Sequence, residues 1–169
     1  MQDKEIQLFE YFLKPGHIFM SREPALISLV LGSCVAVSIW DCREQYGGMA
    51  HYLYPYIGQQ ELATAKYGNV AVGYLARLFL EEGAERENIR AQIFGGASIE
   101  EEGQSISEEN IAVARRILKQ MQIRIVSEDV GGDLGRKLVY NTRTNEAIVY
   151  KAQQLRKGDW YPYRNEARR

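Results

Sequence analysis

Two side chains able to do nucleophilic chemistry lie close in the chain. Cys34 follows the apolar run Leu29-Val30-Leu31-Gly32-Ser33-Cys34-Val35-Ala36-Val37, and His51 closes Gly47-Gly48-Met49-Ala50-His51. Both types are scarce, with two cysteines and two histidines in 169 residues. The nucleophile is the thiolate, and a free thiol near pKa ~8.5 is only slightly ionised at neutral pH, so a working cysteine needs a base or a positive end beside it. Gly32 lets the backbone bend and brings amide N–H groups near the thiol, where they form an oxyanion hole. If residues 28 to 34 are extended, Ser28, Val30, Gly32 and Cys34 share one face, which brings the Ser28 hydroxyl to accept from the imidazole Nδ1–H. The same residues have plainer readings: a small buried hydrophobe, a satisfied strand histidine and a serine bonded to its own backbone. Spacing alone leaves both open.

The elements that must position these residues are legible from periodicity. His17-Ile18-Phe19-Met20 and Ala25 to Leu31 read as strands, the second too apolar to face water on either side. Val35 to Trp40 continues as a β-branched strand; Gln45-Tyr46-Gly47-Gly48 reads as a turn and Met49 to Tyr54 as the return strand, ended by Pro55. One strand out and one back brings residues 34 and 51 together. From Ala63 to Leu80 apolar residues recur at spacings of three and four, a helix that Gly83 stops. Ile89 to Phe94 reads as a buried strand closed by Gly95-Gly96-Ala97, and the acidic stretch Ile99 to Gln104 as a solvated loop. Ser107 reads as an N-cap with Glu108 and Glu109 in the first turn, and Ile111, Ala114, Ile117, Leu118 and Met121 as the stripe of that helix. Ile123 to Val126 is a strand, and Leu138 to Asn141 with Ala147 to Lys151 a hairpin. Strands with two moderate helices make a layered α+β domain.

Composition narrows the classes. Apolar residues make up 46%, charged residues 25%, and the net charge of −1 offers no basic surface for nucleic acid or anionic membrane. Two cysteines are no disulfide framework, which points to a reducing compartment, the cytoplasm. The N-terminus leads into no signal-peptide stretch, and no run approaches the roughly 20 apolar residues of a spanning helix. Cys34, Cys42 and His51 make a poor metal set, with spacings unlike CxxC knuckles and His17 distant in sequence. The Gly95-Gly96 and Gly131-Gly132-Asp133-Leu134-Gly135 stretches lack the pattern of phosphate loops and read as tight turns, which also let a substrate approach closely.

Leu31-Gly32-Ser33-Cys34-Val35-Ala36-Val37, with Gly48-Met49-Ala50-His51-Tyr52-Leu53-Tyr54-Pro55, resembles the signature of the CheD chemoreceptor glutamine deamidases. The resemblance continues through Lys66-Tyr67, Ile93 to Ala97, Ile106 to Asn110, Glu128 to Gly132 and Gly135-Arg136-Lys137. It divides the chain into an N-terminal arm (1–14), a CheD-like deamidase domain (15–151) and a C-terminal tail (152–169). It implies a single-domain layered sandwich of mixed and antiparallel sheets with two main helices, similar to the catalytic core of bacterial toxin deamidases. The activity it implies is hydrolysis of particular glutamine side chains to glutamate on methyl-accepting chemotaxis receptors, through a cysteine thioester, which tunes adaptation. Cys34 is then the nucleophile and His51 the general base and acid. Ser28 takes the position of the family's threonine, a departure that keeps the hydroxyl and loses the methyl that locks its rotamer. Gly32, Ser33, Gly95 and Gly96 are the expected oxyanion and substrate-binding positions. No metal or organic cofactor is implied. The implied partners are receptor cytoplasmic regions and a CheC-type phosphatase, with no nucleic acid and no membrane insertion. Two other functions fit the same residues: an adaptor binding receptors or a CheC-type phosphatase with little activity, and a cysteine peptidase or acyltransferase.

Overall fold

Six of the seven residues of Val35–Asp41 are buried, on both faces of the strand, and the architecture follows from what covers each face. The computed structural model describes residues 8–98 and 104–153. In chain order they form β1 (Phe9–Phe12), β2 (His17–Ser21), β3 (Ala25–Leu31), β4 (Val35–Asp41), β5 (Tyr46–Tyr52), α1 (Gly68–Glu81), β6 (Ile89–Gly95), α2 (Gln104–Gln120), β7 (Arg124–Val130), β8 (Gly135–Asn141) and β9 (Ala147–Ala152). The strands make two mixed sheets, a smaller one in the order β1-β3-β8-β9 and a larger one in the order β2-β5-β4-β6-β7. Only β1 with β3 and β6 with β7 run parallel; the other neighbours are antiparallel.

Alternation along β4 divides the core in two. Val35, Val37 and Ile39 point to the helices, where they meet Ala71, Val72, Leu75 and Phe79 of α1 and Ile111, Val113, Ala114 and Leu118 of α2. Ala36 points the other way, into a second core between the sheets built from Leu13, Ile27, Leu29, Leu31, Met49, Phe94, Leu138 and Tyr140. The result is three layers: small sheet, large sheet, helix pair. This is the expected layered α+β class, and it explains why β3 and β4 carry near-continuous apolar runs. Among the described residues no helix is long and apolar enough to cross a membrane.

Several local expectations give way to tertiary contacts. Residues 9–12, read as part of an arm, form β1, and Leu13 behind it is fully buried, worth roughly 2–3 kcal/mol of burial. The turn before β5 occupies residues 42–45 with Gln45 at φ 55, while Gly47 and Gly48 lie inside the strand. The first helix starts at Gly68 rather than Ala63, because the Lys66 carbonyl accepts from Leu53 and Tyr54 N–H and Tyr67 bridges to Tyr54. Ser107 is not an N-cap: α2 already begins at Gln104, and the Ser107 hydroxyl donates to the Ala97 carbonyl at 2.8 Å. Residues 99–103, most of the expected acidic loop, and the tail from 154 onward lie outside the described residues.

The Leu31 end of the small sheet is tied to β7 of the large sheet by a charged cluster. Arg136 is 2% exposed and meets Asp129 at 3.1 Å, which also takes Lys151 at 2.9 Å. The guanidinium donates further to the carbonyls of Gly131 and Leu134. Burial alone pushes the Asp129 carboxyl up; hydrogen bonds from Lys151 and Arg136 outweigh it and hold the group below the ordinary carboxylate range. A carboxylate lowered in the folded state stabilises above its unfolded pKa, and that stability is lost as pH falls through the lower folded value. Asp129→Asn is expected to cost about 2 kcal/mol near pH 7 by urea denaturation, discounted from the roughly 3–5 kcal/mol of a fully buried pair because Asp129 keeps 30% of its side chain exposed. The deficit should shrink in acid, below the ordinary carboxylate pKa; an equal deficit at pH 3 would contradict the assignment.

Candidate active site

The register of the large sheet brings the sequence pair together. Ala36 of β4 lies directly opposite His51 of β5, and Ser38 opposite Met49. Met49 faces the inter-sheet core, so two-residue alternation puts His51 on that face too. Cys34, two residues ahead of Ala36, packs against the same core. Cys34, in the loop just ahead of β4, and His51 on β5 therefore both lie at this end of the β4–β5 pair.

Ser28 is not brought to them. Ile27, Leu29 and Leu31 of β3 fill the inter-sheet core opposite Tyr140, Leu138 and Arg136 of β8. Alternation then turns Ser28 to the outer face, across from Val139, which is 38% exposed. The expected shared face of Ser28 and Cys34 fails because Gly32-Ser33-Cys34 leaves the strand and resets the alternation. Another acceptor serves the ring: His51 Nδ1 lies 3.1 Å from the Leu13 carbonyl. A carbonyl only accepts, so Nδ1 carries the proton and Nε2 the lone pair. Ser28 contributes through its backbone, since the Leu13 N–H donates to the Ser28 carbonyl at 2.9 Å. The Gly16 N–H, in turn, donates to the His51 carbonyl at 2.7 Å.

His51 is 1% exposed and its Nε2 has no hydrogen-bond partner among the described residues. Burial pulls its pKa down to about 4; the Leu13 carbonyl opposes this and nearby His17 adds to it. Burial likewise pushes the Cys34 thiol up to about 11, with its own backbone N–H offsetting a part. At neutral pH the thiol is thus protonated and the imidazole neutral, with a lone pair that meets no hydrogen-bond donor among the described residues.

The loop carrying Cys34 is held by its carbonyls. Gly32 O accepts from Ala97 N–H at 3.0 Å, Ser33 O from Asn110 Nδ2 at 3.1 Å, and Cys34 O from Gly96 N–H at 2.8 Å. The Ser33 and Cys34 amides donate to no backbone carbonyl among the described residues, which leaves them available for an oxyanion. Gly95 and Gly96 work on this loop. Both have positive φ, +101° and +69°, and a Cβ on Gly95 would run into the Cys34 carbonyl oxygen. Behind them Gly131 N–H donates to Gly95 O and Ser98 N–H to Gly132 O, so the turn braced by Arg136 supports the loop in series. Cys42 sits at the opposite end of β4 from Cys34. Among the described residues no three His, Cys, Asp or Glu are grouped to hold a metal ion.

Leu13, Asn110 and the Asp129–Arg136 pair shape the site without having been given a role from the sequence, although the last three lie in stretches that carry the family resemblance. Leu13 acts through a backbone atom that any residue has. Asn110 carried a signal: a polar residue beside Ile111 on the buried stripe of α2, where a side chain must find partners.

A family model described as CheD, chemotactic sensory transduction, matches residues 56–151. A protein of Trichlorobacter lovleyi named "Probable chemoreceptor glutamine deamidase CheD" is 39% identical over 148 residues, 86% of this chain and 92% of that protein. One of Sulfurimonas denitrificans with the same name is 35% identical over 147 residues, 85% of this chain and 94% of that protein. One of Anaeromyxobacter dehalogenans, named "Probable chemoreceptor glutamine deamidase CheD 1", is 37% identical over 143 residues, 83% of each.

The neutral resting pair has a direct readout. In a Cys42→Ala background, thiolate absorbance is expected to rise with a midpoint near pH 11, and ring nitrogen shifts should report a neutral Nδ1–H imidazole down to about pH 4. An imidazolium signal from the His51 ring at pH 6, or a thiolate step near neutrality, would show that the two groups share a preformed ion pair.

Proposed function

The chain belongs to the CheD family, and we propose that it is a cysteine-dependent protein-glutamine deamidase acting on methyl-accepting chemotaxis receptors in the cytoplasm. The observation that carries this reading is the unpartnered, buried Nε2 of His51 on the same face as Cys34, with its tautomer fixed by the Leu13 carbonyl. A glutamine side chain is neutral, which suits a site where burial keeps both working groups neutral.

In the proposed reaction the glutamine carboxamide enters beside Cys34. His51 Nε2 takes the thiol proton as sulfur attacks the carboxamide carbon, because burial disfavours a free thiolate. The oxyanion is met by the Ser33 and Cys34 amides. Protonated His51 gives its proton to the departing ammonia, leaving a thioester. Neutral His51 then activates water, which attacks the thioester carbonyl and releases glutamate and the Cys34 thiol. The residues call for no metal or organic cofactor in any step. Ser28 has no side-chain role here, so its replacement of the family's threonine does not argue for an inactive adaptor. A CheC-type phosphatase is the second partner that the family resemblance implies.

Receptor cytoplasmic fragments incubated with enzyme and mapped by mass spectrometry test the reading. Wild type should convert specific glutamines to glutamate, Cys34→Ala should abolish conversion, and His51→Ala should lower it by about 10³-fold. Ser28→Ala should stay within about twofold, as for a residue remote from the chemistry. Receptor binding with untouched glutamines in wild type would make the protein an adaptor, and backbone cleavage would make it a peptidase.

A further inference from the structure

Asn110 is fully buried on α2, and its side-chain amide bridges the two segments that carry the diad. Nδ2 donates to the Ser33 carbonyl at 3.1 Å, one residue before Cys34, and to the Leu53 carbonyl at 2.9 Å, two residues after His51. Both neighbours are acceptors, so the nitrogen must be the atom facing them. Oδ1 is buried and has no hydrogen-bond partner among the described residues. The Tyr52 hydroxyl, between His51 and Leu53, donates to the Asn110 backbone carbonyl and fixes this point of α2 against β5.

In a trans peptide the C=O and the following N–H point in opposite directions. Drawing the Ser33 carbonyl toward α2 therefore turns the Cys34 N–H away from the helix. The flanking carbonyls of Gly32 and Cys34 are held by backbone amides; of the three clamps, the middle one alone comes from a side chain. We propose that Asn110 is a positioning residue of the oxyanion hole, holding the Ser33–Cys34 peptide so that the Cys34 N–H faces the carbonyl under attack. This rests on the deamidase reading. The chemistry is specific to a carboxamide: it offers two donors from one planar group, whereas a carboxylate at the same position sets oxygen against two carbonyl oxygens, and a hydroxyl supplies one donor.

The test separates positioning from general loosening. Asn110→Ala should lower kcat on receptor fragments by about 10²-fold with KM within about twofold, the scale of a mis-set oxyanion donor. Alkylation of Cys34 by iodoacetamide, a displacement at a methylene carbon that builds no oxyanion, should keep its rate within about twofold. With 15N-cysteine labelling the two cysteines give two amide signals, and the substitution should move the Cys34 signal and leave Cys42 in place. Asn110→Asp should be at least as slow as Asn110→Ala. If Asn110→Ala does not fold by thermal melting, Asn110→Ser, which keeps one donor, takes its place and should lose part of kcat while the alkylation rate holds. Parallel loss of turnover and alkylation, or unchanged kcat, overturns the proposal. If wild type leaves receptor glutamines untouched, the deamidase reading fails by itself. The amide signal then decides Asn110: an unmoved Cys34 resonance overturns its hold on the loop, and a shifted one supports it.

Discussion

The hydrogen bond from His51 Nδ1 to the Leu13 carbonyl crosses from one sheet to the other. His51 belongs to the large sheet, while Leu13 directly follows β1 of the small sheet and is held by the Ser28 carbonyl of β3. The bond exists only when β1 is paired and the two sheets are packed. Leu13 is fully buried between them, so the energy that seats its side chain also sets the position of its carbonyl. One contact thus decides the tautomer of the ring, its orientation and the direction of its free lone pair. Loss of the edge strand would leave the imidazole in place on β5 with either nitrogen free to carry the proton.

The thiol is positioned by a different logic. Among the described residues no side chain hydrogen-bonds to the sulfur; the backbone around it is gripped instead. Three consecutive carbonyls accept from Ala97, Asn110 and Gly96, and the Ser33 and Cys34 amides donate to no carbonyl among the described residues. The close approach requires glycine at 95, where a side chain would strike the Cys34 carbonyl. The Gly131–Gly132 turn holds the Gly95 turn, and the buried Arg136 holds the Gly131–Gly132 turn through its bond to a carbonyl and its ion pair with Asp129. Charge, turn and loop form a chain of fixed backbone groups, the kind of preorganisation that electrostatic catalysis needs.

How much of this was legible follows from where the information sits. The inward runs of β3, β4 and β6, the β8–β9 hairpin and the stripe of α2 could be read because burial is written in residue type. The strand out and strand back between Cys34 and His51 followed from strand length, and β4 and β5 pair in that way. Ser28 misled, since alternation was carried across Gly32-Ser33-Cys34, where the chain leaves the sheet. Leu13 was illegible because its contribution is a carbonyl, and the identity of a residue says nothing about its carbonyl. Ser107 has the right type for a cap but spends its hydroxyl on Ala97, a contact ten residues away that local pattern does not encode. The family resemblance named Ser28 by position; the geometry moves the orienting role to the backbone that Ser28 holds.

Burial gives the site a direction. Desolvation keeps thiol and imidazole uncharged, and a neutral carboxamide enters without giving up the hydration of an ion. Each step of the proposed reaction then passes charge only transiently between Cys34, His51 and the oxyanion amides. The product differs: glutamate is an anion, and the same desolvation that tolerates glutamine disfavours a carboxylate beside a neutral imidazole whose pKa lies near 4. A solvated diad with a preformed thiolate and imidazolium would attack more readily, yet its imidazolium would hold the carboxylate it had just made. Keeping the pair neutral gives up nucleophile strength at rest and gains discrimination between substrate and product, which differ only in an amide exchanged for a charge.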